Sequence, residues 1–225
     1  MNLRSILLDL LFPPKCPFCG KVMDTPEVCP KCRLSLPWTG ESGGVRTLEG
    51  GLLCAAPLRY KGAVRQALLD FKFHGASGKA EALGGLIAQQ AAEYLSGEFD
   101  TVTWAPVSRR RLRKRGYDQA ELLARAACRA WDTQPKRLLE KKTDNPAQSG
   151  QKDAAARRKN VKDVYRLPCP EQVSGRRILL IDDICTTGST LVSCAGTLRG
   201  GGAASVVCAA AAFASPEDDG EKGAK

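Results

Sequence analysis

An α/β fold with a mostly parallel sheet flanked by helices, preceded by a small metal-binding module, is what this chain predicts, on three observations. Past residue 50, short apolar runs alternate with segments of helical period, the pattern of strands joined by crossover helices. Before residue 50 stand two CxxC units, Cys16-Pro-Phe-Cys19 and Cys29-Pro-Lys-Cys32. At residues 178–190 an apolar run passes through two aspartates into a turn of small hydroxyl-bearing residues, ILLIDDICTTGST.

Composition bounds the rest. The 225 residues leave room for one domain of ordinary size plus a small module. Lys and Arg number 34 against 24 Asp and Glu, a formal net charge of +10, which favours polyanionic partners: phosphates, nucleotides, nucleic acid or a membrane surface. Charge alone does not choose among them. Ten cysteines would suit a secreted disulfide scaffold, but the N-terminus does not read as an export signal. Leu3, Ile6, Leu7, Leu10 and Leu11 have helical spacing, Asp9 interrupts them, and no small-residue cleavage site follows. This is a short amphipathic helix, and a candidate contact surface for a homodimer. No apolar run approaches the roughly 20 residues that span a bilayer, so no membrane insertion is expected. The chain is expected to be cytoplasmic, where cysteines stay reduced and clustered ones bind metal.

The elements follow in order. Residues 1–50 are expected to hold the N-terminal helix and a four-cysteine zinc ribbon. The CxxC units are separated by nine residues, while the other six cysteines are scattered singly. A CxxC turn places two thiolates on one side of a tight loop, and two such knuckles supply the closed tetrahedral set that structural zinc prefers. Gly20 suits the positive φ that such a knuckle requires. The alternatives are a redox CxxC or chance pairing. If Cys16, Cys19, Cys29 and Cys32 all bind, the metal has no open position, and the zinc is structural rather than catalytic.

Residues 51–214 are expected to form the α/β domain. LLCAAPLRY at 52–60 reads as a strand, 63–71 as a helix, 80–95 as a better helix, and TVTWAPVS at 101–108 as a strand. Asp118 with Glu121 forms a capping-box-like start for the helix QAELLARAACRAW. RRILLI is a short buried strand. Leu191, Cys194, Ala195 and Leu198 give a helix stripe closed by Gly200, Gly201 and Gly202, and SVVCAAAAFA at 205–214 is a final apolar strand. Ligands of such a sheet sit beyond the carboxyl ends of the strands. Residues 215–225 have almost no apolar content and are expected to be disordered.

The stretch 178–190 therefore runs from a strand end into a helix. Successive amides there, with a helix N-terminus behind them, make an anion site. Thr186, Thr187, Ser189 and Thr190 add hydroxyl donors, and Gly188 permits close approach. Asp182 and Asp183 repel a phosphate, but they can accept hydrogen bonds from sugar hydroxyls or hold magnesium through water. A ligand with a ribose on one side and a phosphate on the other satisfies both halves. The plainer alternative is an N-capped helix after a strand, with incidental acids.

All thirteen residues of this segment resemble the phosphoribosyl pyrophosphate (PRPP) signature of type I phosphoribosyltransferases. The resemblance implies that fold, with Asp182 and Asp183 at the ribose 2′- and 3′-hydroxyls and Thr186, Thr187, Gly188, Ser189 and Thr190 around the 5′-phosphate, magnesium accompanying the donor. The paired CxxC units, LLDFKFHG at 68–75, APVSRRRLRKRGYDQAELLA at 105–124, PAQSG and ARRKNV between 146 and 161, and the DDICTTGST loop together resemble the ComF family, associated with natural competence and DNA uptake. One departure is Asp118, where that family usually has asparagine; both residues cap helices. Thr186 stands where transferases of 6-oxopurines usually carry an aspartate, which implies against hypoxanthine or guanine as acceptor. The resemblance is closer to orotate-type members.

In transferases of this kind a flexible loop closes over the site and neutralises charge growing on the leaving group. The run RRRLRKRG, residues 109–116, is expected to be that loop, with Lys114 and Arg115 as candidate catalytic cations. Lys72 and Lys79, flanking FKFHGASGK, are candidates for binding pyrophosphate. His74, the one histidine, lies in the same segment with nothing to pair it with a nucleophile. The basic run is also open to reading as a solvated loop or a nucleic-acid contact, and the ribbon carries Lys15, Lys21, Lys31 and Arg33 beside Phe18, as single-stranded nucleic-acid sites combine cations with an aromatic. Two functions therefore stand: a magnesium-dependent transferase moving phosphoribosyl from PRPP, or a related sugar phosphate, to an unidentified acceptor, and a non-catalytic adaptor for single-stranded DNA and DNA-uptake proteins.

Overall fold

The structure is a computed structural model that describes residues 13–40, 44–73, 77–142 and 164–215. The expected N-terminal helix, His74, the PAQSG and ARRKNV pieces, and all of the expected tail except Ser215 lie outside the described residues.

Chain order is α1 (Pro30–Ser35), β1 (Val45–Leu48), β2 (Leu52–Ala55), β3 (Leu58–Arg59), α2 (Gly62–Phe73), α3 (Ala80–Tyr94), β4 (Thr101–Trp104), α4 (Arg109–Arg115), α5 (Gln119–Arg129), β5 (Glu140–Lys141), β6 (Tyr165–Arg166), β7 (Arg177–Cys185), α6 (Ser189–Gly200) and β8 (Ser205–Phe213). The main sheet has the order β1-β2-β8-β7-β4, with β3 also on β8. Every pairing in it is parallel except β1 with β2. A separate antiparallel pair joins β5 to β6.

β7 and β8 occupy the centre because both of their faces are apolar, as a strand covered by helices on both sides requires. Leu179 and Ile181 enter one core with α2, α3 and α5, while Ile178 and Leu180 enter the other with α6. Helix stripes match: Ala120, Leu123, Ala124 and Ala127 on α5, and Leu191, Cys194, Ala195 and Leu198 on α6, are all buried. Where α3 crosses α5, Gly84 has no side chain because a Cβ would overlap the Ala126 methyl. The zinc module is not a loose appendage. Cys16, Val28, Cys29, Cys32 and Leu36 belong to the first core, and Thr39 Oγ1 donates to the Ala56 carbonyl at 2.8 Å.

Four elements differ from expectation. The run at 101–108 is a strand only over Thr101–Trp104. The run at 52–60 is two strands, because Pro57 cannot donate to a ladder. β7 does not stop before the aspartates: it continues through them to Cys185, laddered to β8 by Asp182 beside Ala210 and Cys185 beside Phe213. Residues 109–115 are a helix and not a flexible loop. Ser108 caps its start by accepting from the Arg111 amide, and Gly116 ends it in the left-handed conformation at φ 81°, a start and stop that outweigh the mutual repulsion of its cations.

Candidate functional site

The four expected metal ligands converge. In the first knuckle the Gly20 amide donates to the Cys16 carbonyl at 3.0 Å, with Gly20 at φ 74°. In the second, Cys29 caps α1, its sulfur accepting from the Cys32 amide at 3.4 Å. All four Sγ atoms lie within 4.8 Å of one another, and Cys19 and Cys29 sulfurs are 3.6 Å apart. Two thiolates bound about 2.3 Å from a tetrahedral zinc stand about 3.8 Å apart, so the donor set fits that metal. Burial raises the Cys16 pKa, but amide and thiol hydrogen bonds from Cys29, Phe18 and Cys19 outweigh it and bring the thiol down to about 6, which favours the thiolate a metal needs. Burial and the neighbouring thiols push Cys32 up instead. Such a site holds the fold and offers no open position for chemistry.

The second site is a cleft of about 310 Å³ at the carboxyl end of β7. Alternation along the strand turns its acids toward different walls. Asp183, 8% exposed, faces α2 and takes Lys72 Nζ at 3.0 Å. Asp182 faces α6 and the β5–β6 pair, near Tyr165 and Cys194, and its Oδ1 accepts from the Asp183 amide at 2.8 Å. Burial first, and then the Asp183 charge, raise the Asp182 pKa well above the carboxylate range, with Lys72 opposing.

Cations surround the pair. Lys72, Arg111, Arg115 and Lys141 all line the cleft. Arg115 Nη1 donates to Gln119 Oε1 at 2.7 Å, and its guanidinium lies over the Phe73 ring at 5.0 Å. Burial lowers its pKa and the Asp183 charge opposes; the guanidinium stays protonated. The expected Lys114 is exposed and absent from the lining. Lys79 is elsewhere: its Nζ donates to the Pro17 carbonyl at 2.7 Å and pairs with Asp70 at 3.2 Å, so the pyrophosphate role expected of it is not supported by its position.

In the turn that follows, Thr186 and Thr190 line the cleft. The Thr187 hydroxyl instead accepts from the Ser189 amide at 3.4 Å. Gly188, at φ 76°, caps α6, and a Cβ there would come within 2.7 Å of Leu48 in β1. The first amides of α6 have no intrahelical acceptor; the Ser189 amide is met by Thr187, and this helix start stands beside Thr186 and Thr190. Asp118 uses both oxygens, Oδ1 for the Ala120 and Glu121 amides and Oδ2 for the Val107 amide at 3.0 Å. Asparagine has one acceptor oxygen and matches only half of that.

Arg111 and Lys141 were missed by sequence reading. Arg111 and Arg115 are four apart, one face of a helix, a signal that is lost once the run is read as a loop. Lys141 has no local signal, because its chain neighbours say nothing about β7.

Two known domain families match parts of this chain. The double zinc ribbon domain family matches residues 7–58, and the phosphoribosyl transferase domain family matches residues 113–224. DNA utilization protein YhgH of Escherichia coli O157:H7 is 34% identical over 103 residues, 44% of this chain and 43% of that protein. Competence protein F of Haemophilus influenzae is 33% identical over 87 residues, 38% of each. The match thus spans less than half the length of these relatives. Among solved structures, glutamine PRPP amidotransferase from B. subtilis complexed with ADP and GMP aligns over 64% of this chain and 30% of its own, at 19% identity and a TM-score of 0.44. This chain joins a double zinc ribbon to a phosphoribosyl transferase domain and is homologous to the DNA utilization and competence F proteins.

Proposed function

We propose that the cleft binds PRPP with magnesium and transfers its phosphoribosyl group to an acceptor in a process linked to DNA uptake, with residues 1–50 as a zinc-held module and 51–214 as the transferase unit. The observation that carries this reading is the placement of Asp182 and Asp183 at the end of β7, between four cations and the hydroxyl-rich start of α6. The carboxylates accept from the ribose 2′- and 3′-hydroxyls. Thr186, Thr190 and the amides of α6 hold the 5′-phosphate. Asp182 and Asp183 would hold magnesium through water, and the ion would neutralise charge on the pyrophosphate. Transfer breaks the bond from the anomeric carbon to the pyrophosphate oxygen, whose electron pair leaves with pyrophosphate, and forms a bond from that carbon to the acceptor. Lys72, Arg111 and Arg115 stabilise the departing charge. Thr186, with no carboxylate, does not act on a base proton. Titration calorimetry of zinc-loaded protein tests this: micromolar, magnesium-dependent PRPP binding is expected, lost in Asp182→Asn/Asp183→Asn. No binding at millimolar PRPP removes the reading.

A second reading is favoured by a different observation. Phe73 is 58% exposed and Leu112 40% exposed, and Arg109, Arg110, Arg113 and Lys114 are exposed on α4. An unpaired base stacking near Phe73 while phosphates follow α4 suits single-stranded DNA. Alanines at those four cations should weaken DNA binding and flatten its salt dependence, with PRPP binding retained.

A further inference from the structure

The last turn of α2 sends four consecutive residues to four different places. Asp70 takes the Lys79 ammonium, which also donates to the carbonyl of Pro17, inside the knuckle between Cys16 and Cys19. Phe71 is fully buried, and its carbonyl accepts from the Tyr117 hydroxyl. Lys72 reaches Asp183 and Phe73 carries the Arg115 guanidinium. Carbonyls in the last turn of a helix lack intrahelical donors and such ends fray; here the end is fixed from outside. The ties are unequal in origin. Tyr117 and Arg115 come from the segment around α4, whereas Lys79 draws on a metal knuckle more than fifty positions earlier in the chain, since the Lys79 and Pro17 contact spans 62 residues.

Lys79 is three-quarters buried at its side chain and Asp70 nearly so. Ordering a long ammonium chain costs rotamer entropy, and a charged donor bridging a carbonyl and a carboxylate is the arrangement that offsets it. Rotation or fraying of this turn moves the Cα of Lys72, because adjacent helical residues share one rigid turn. The Lys72 to Asp183 distance therefore depends on a lysine that touches no part of the cleft.

We propose that Lys79 is a positioning residue that ties the metal knuckle, through the Pro17 carbonyl and Asp70, to the last turn of α2, so that metal in the four-cysteine site and ligand in the cleft stabilise one another through Lys72. The part concerning the ligand rests on the proposed PRPP binding. Linkage makes the effect reciprocal: the factor by which zinc tightens PRPP binding is the factor by which PRPP tightens zinc.

The test uses the full zinc-loaded chain, with Lys79→Met, which keeps the stem and loses the ammonium, Lys79→Arg as the conservative variant, and Asp70→Asn in case Lys79→Met folds poorly. Hydrogen exchange, PRPP calorimetry and zinc release to a colorimetric chelator are measured on each. In Lys79→Met the amides of residues 70–73 should exchange about tenfold faster with zinc still bound, the loss of a charged hydrogen bond. PRPP should bind about fivefold more weakly, and Lys79→Arg should recover most of both. PRPP should slow zinc release from the wild type and leave release from Lys79→Met unchanged. Unaltered exchange at 70–73 in both Lys79→Met and Asp70→Asn overturns the proposal whatever the donor does. Faster exchange with unchanged PRPP affinity overturns the link to the cleft. If the wild type binds no PRPP, the proposed function fails, and the tie between knuckle and helix is then decided by the exchange measurement alone.

Discussion

The two sites of this chain are built in opposite ways. The metal site draws all four ligands from residues 16–32, each knuckle closed by its own backbone, and three of its four cysteines are buried. The cleft draws on Lys72, Arg111, Arg115, Lys141 and the acids of β7, residues spread across more than a hundred positions, and it stays open. Local spacing suffices to specify the first. The second exists only when the sheet, α2 and α4 are all in place. Damage should therefore be all-or-none in one and graded in the other.

Breaking the closed site gives the largest effect. Cys32→Ser removes a buried ligand from a site that shares the core with Val28 and Leu36. Zinc stoichiometry should fall below one per chain and stability by several kcal/mol, since structural zinc carries folding free energy, as read by metal analysis and urea melts. In the cleft, Lys72→Met leaves the largely buried Asp183 without its partner. The loss should be about 2 kcal/mol, below the 3–5 of a fully buried pair because both side chains retain some exposure, with zinc content unchanged. Gly188→Ala meets Leu48 and a left-handed φ. It should cost about 1–2 kcal/mol, and Leu48→Ala should recover part of that in a double-mutant cycle.

The smallest effect has the opposite sign. Burial and the Asp183 charge raise the Asp182 pKa in the fold, while its unfolded value is about 3.9. Between those two values the folded chain binds more protons than the unfolded one, so the ligand-free protein loses stability as pH rises through that window. Asp182→Asn keeps an oxygen for the Asp183 amide, removes this dependence, and should stabilise the ligand-free chain by about 1 kcal/mol above the window while abolishing PRPP binding. Urea midpoints of wild type and Asp182→Asn, compared from about pH 5 upward until their difference levels off, check it.

What the sequence reveals divides along the same line. The CxxC spacing, the buried strands at 177 and 205 and the α6 stripe are local patterns, and each appears in the structure. The helical state of residues 109–115 was legible in Ser108 and Gly116 but masked by the density of charge. β1 went unread because its four residues alternate only weakly and pair with β2 through a tight turn. Lys141 and the contact of Lys79 with Pro17 depend on tertiary distance, which no window of sequence contains.

Carrying the two acids on β7 rather than on a loop has a kinetic consequence. Asp182 is laddered beside Ala210 and Ile184 beside Ala212, so the carboxylates share the slow, cooperative opening of the central sheet rather than the fast motions of a surface turn. A ligand arriving in the cleft meets acids already ordered by folding. The cationic walls are engaged as well, Lys72 Nζ 3.0 Å from Asp183 and Lys141 Nζ 5.4 Å from the centroid of the Tyr165 ring, so a ligand seated there would have to displace contacts that the fold already makes.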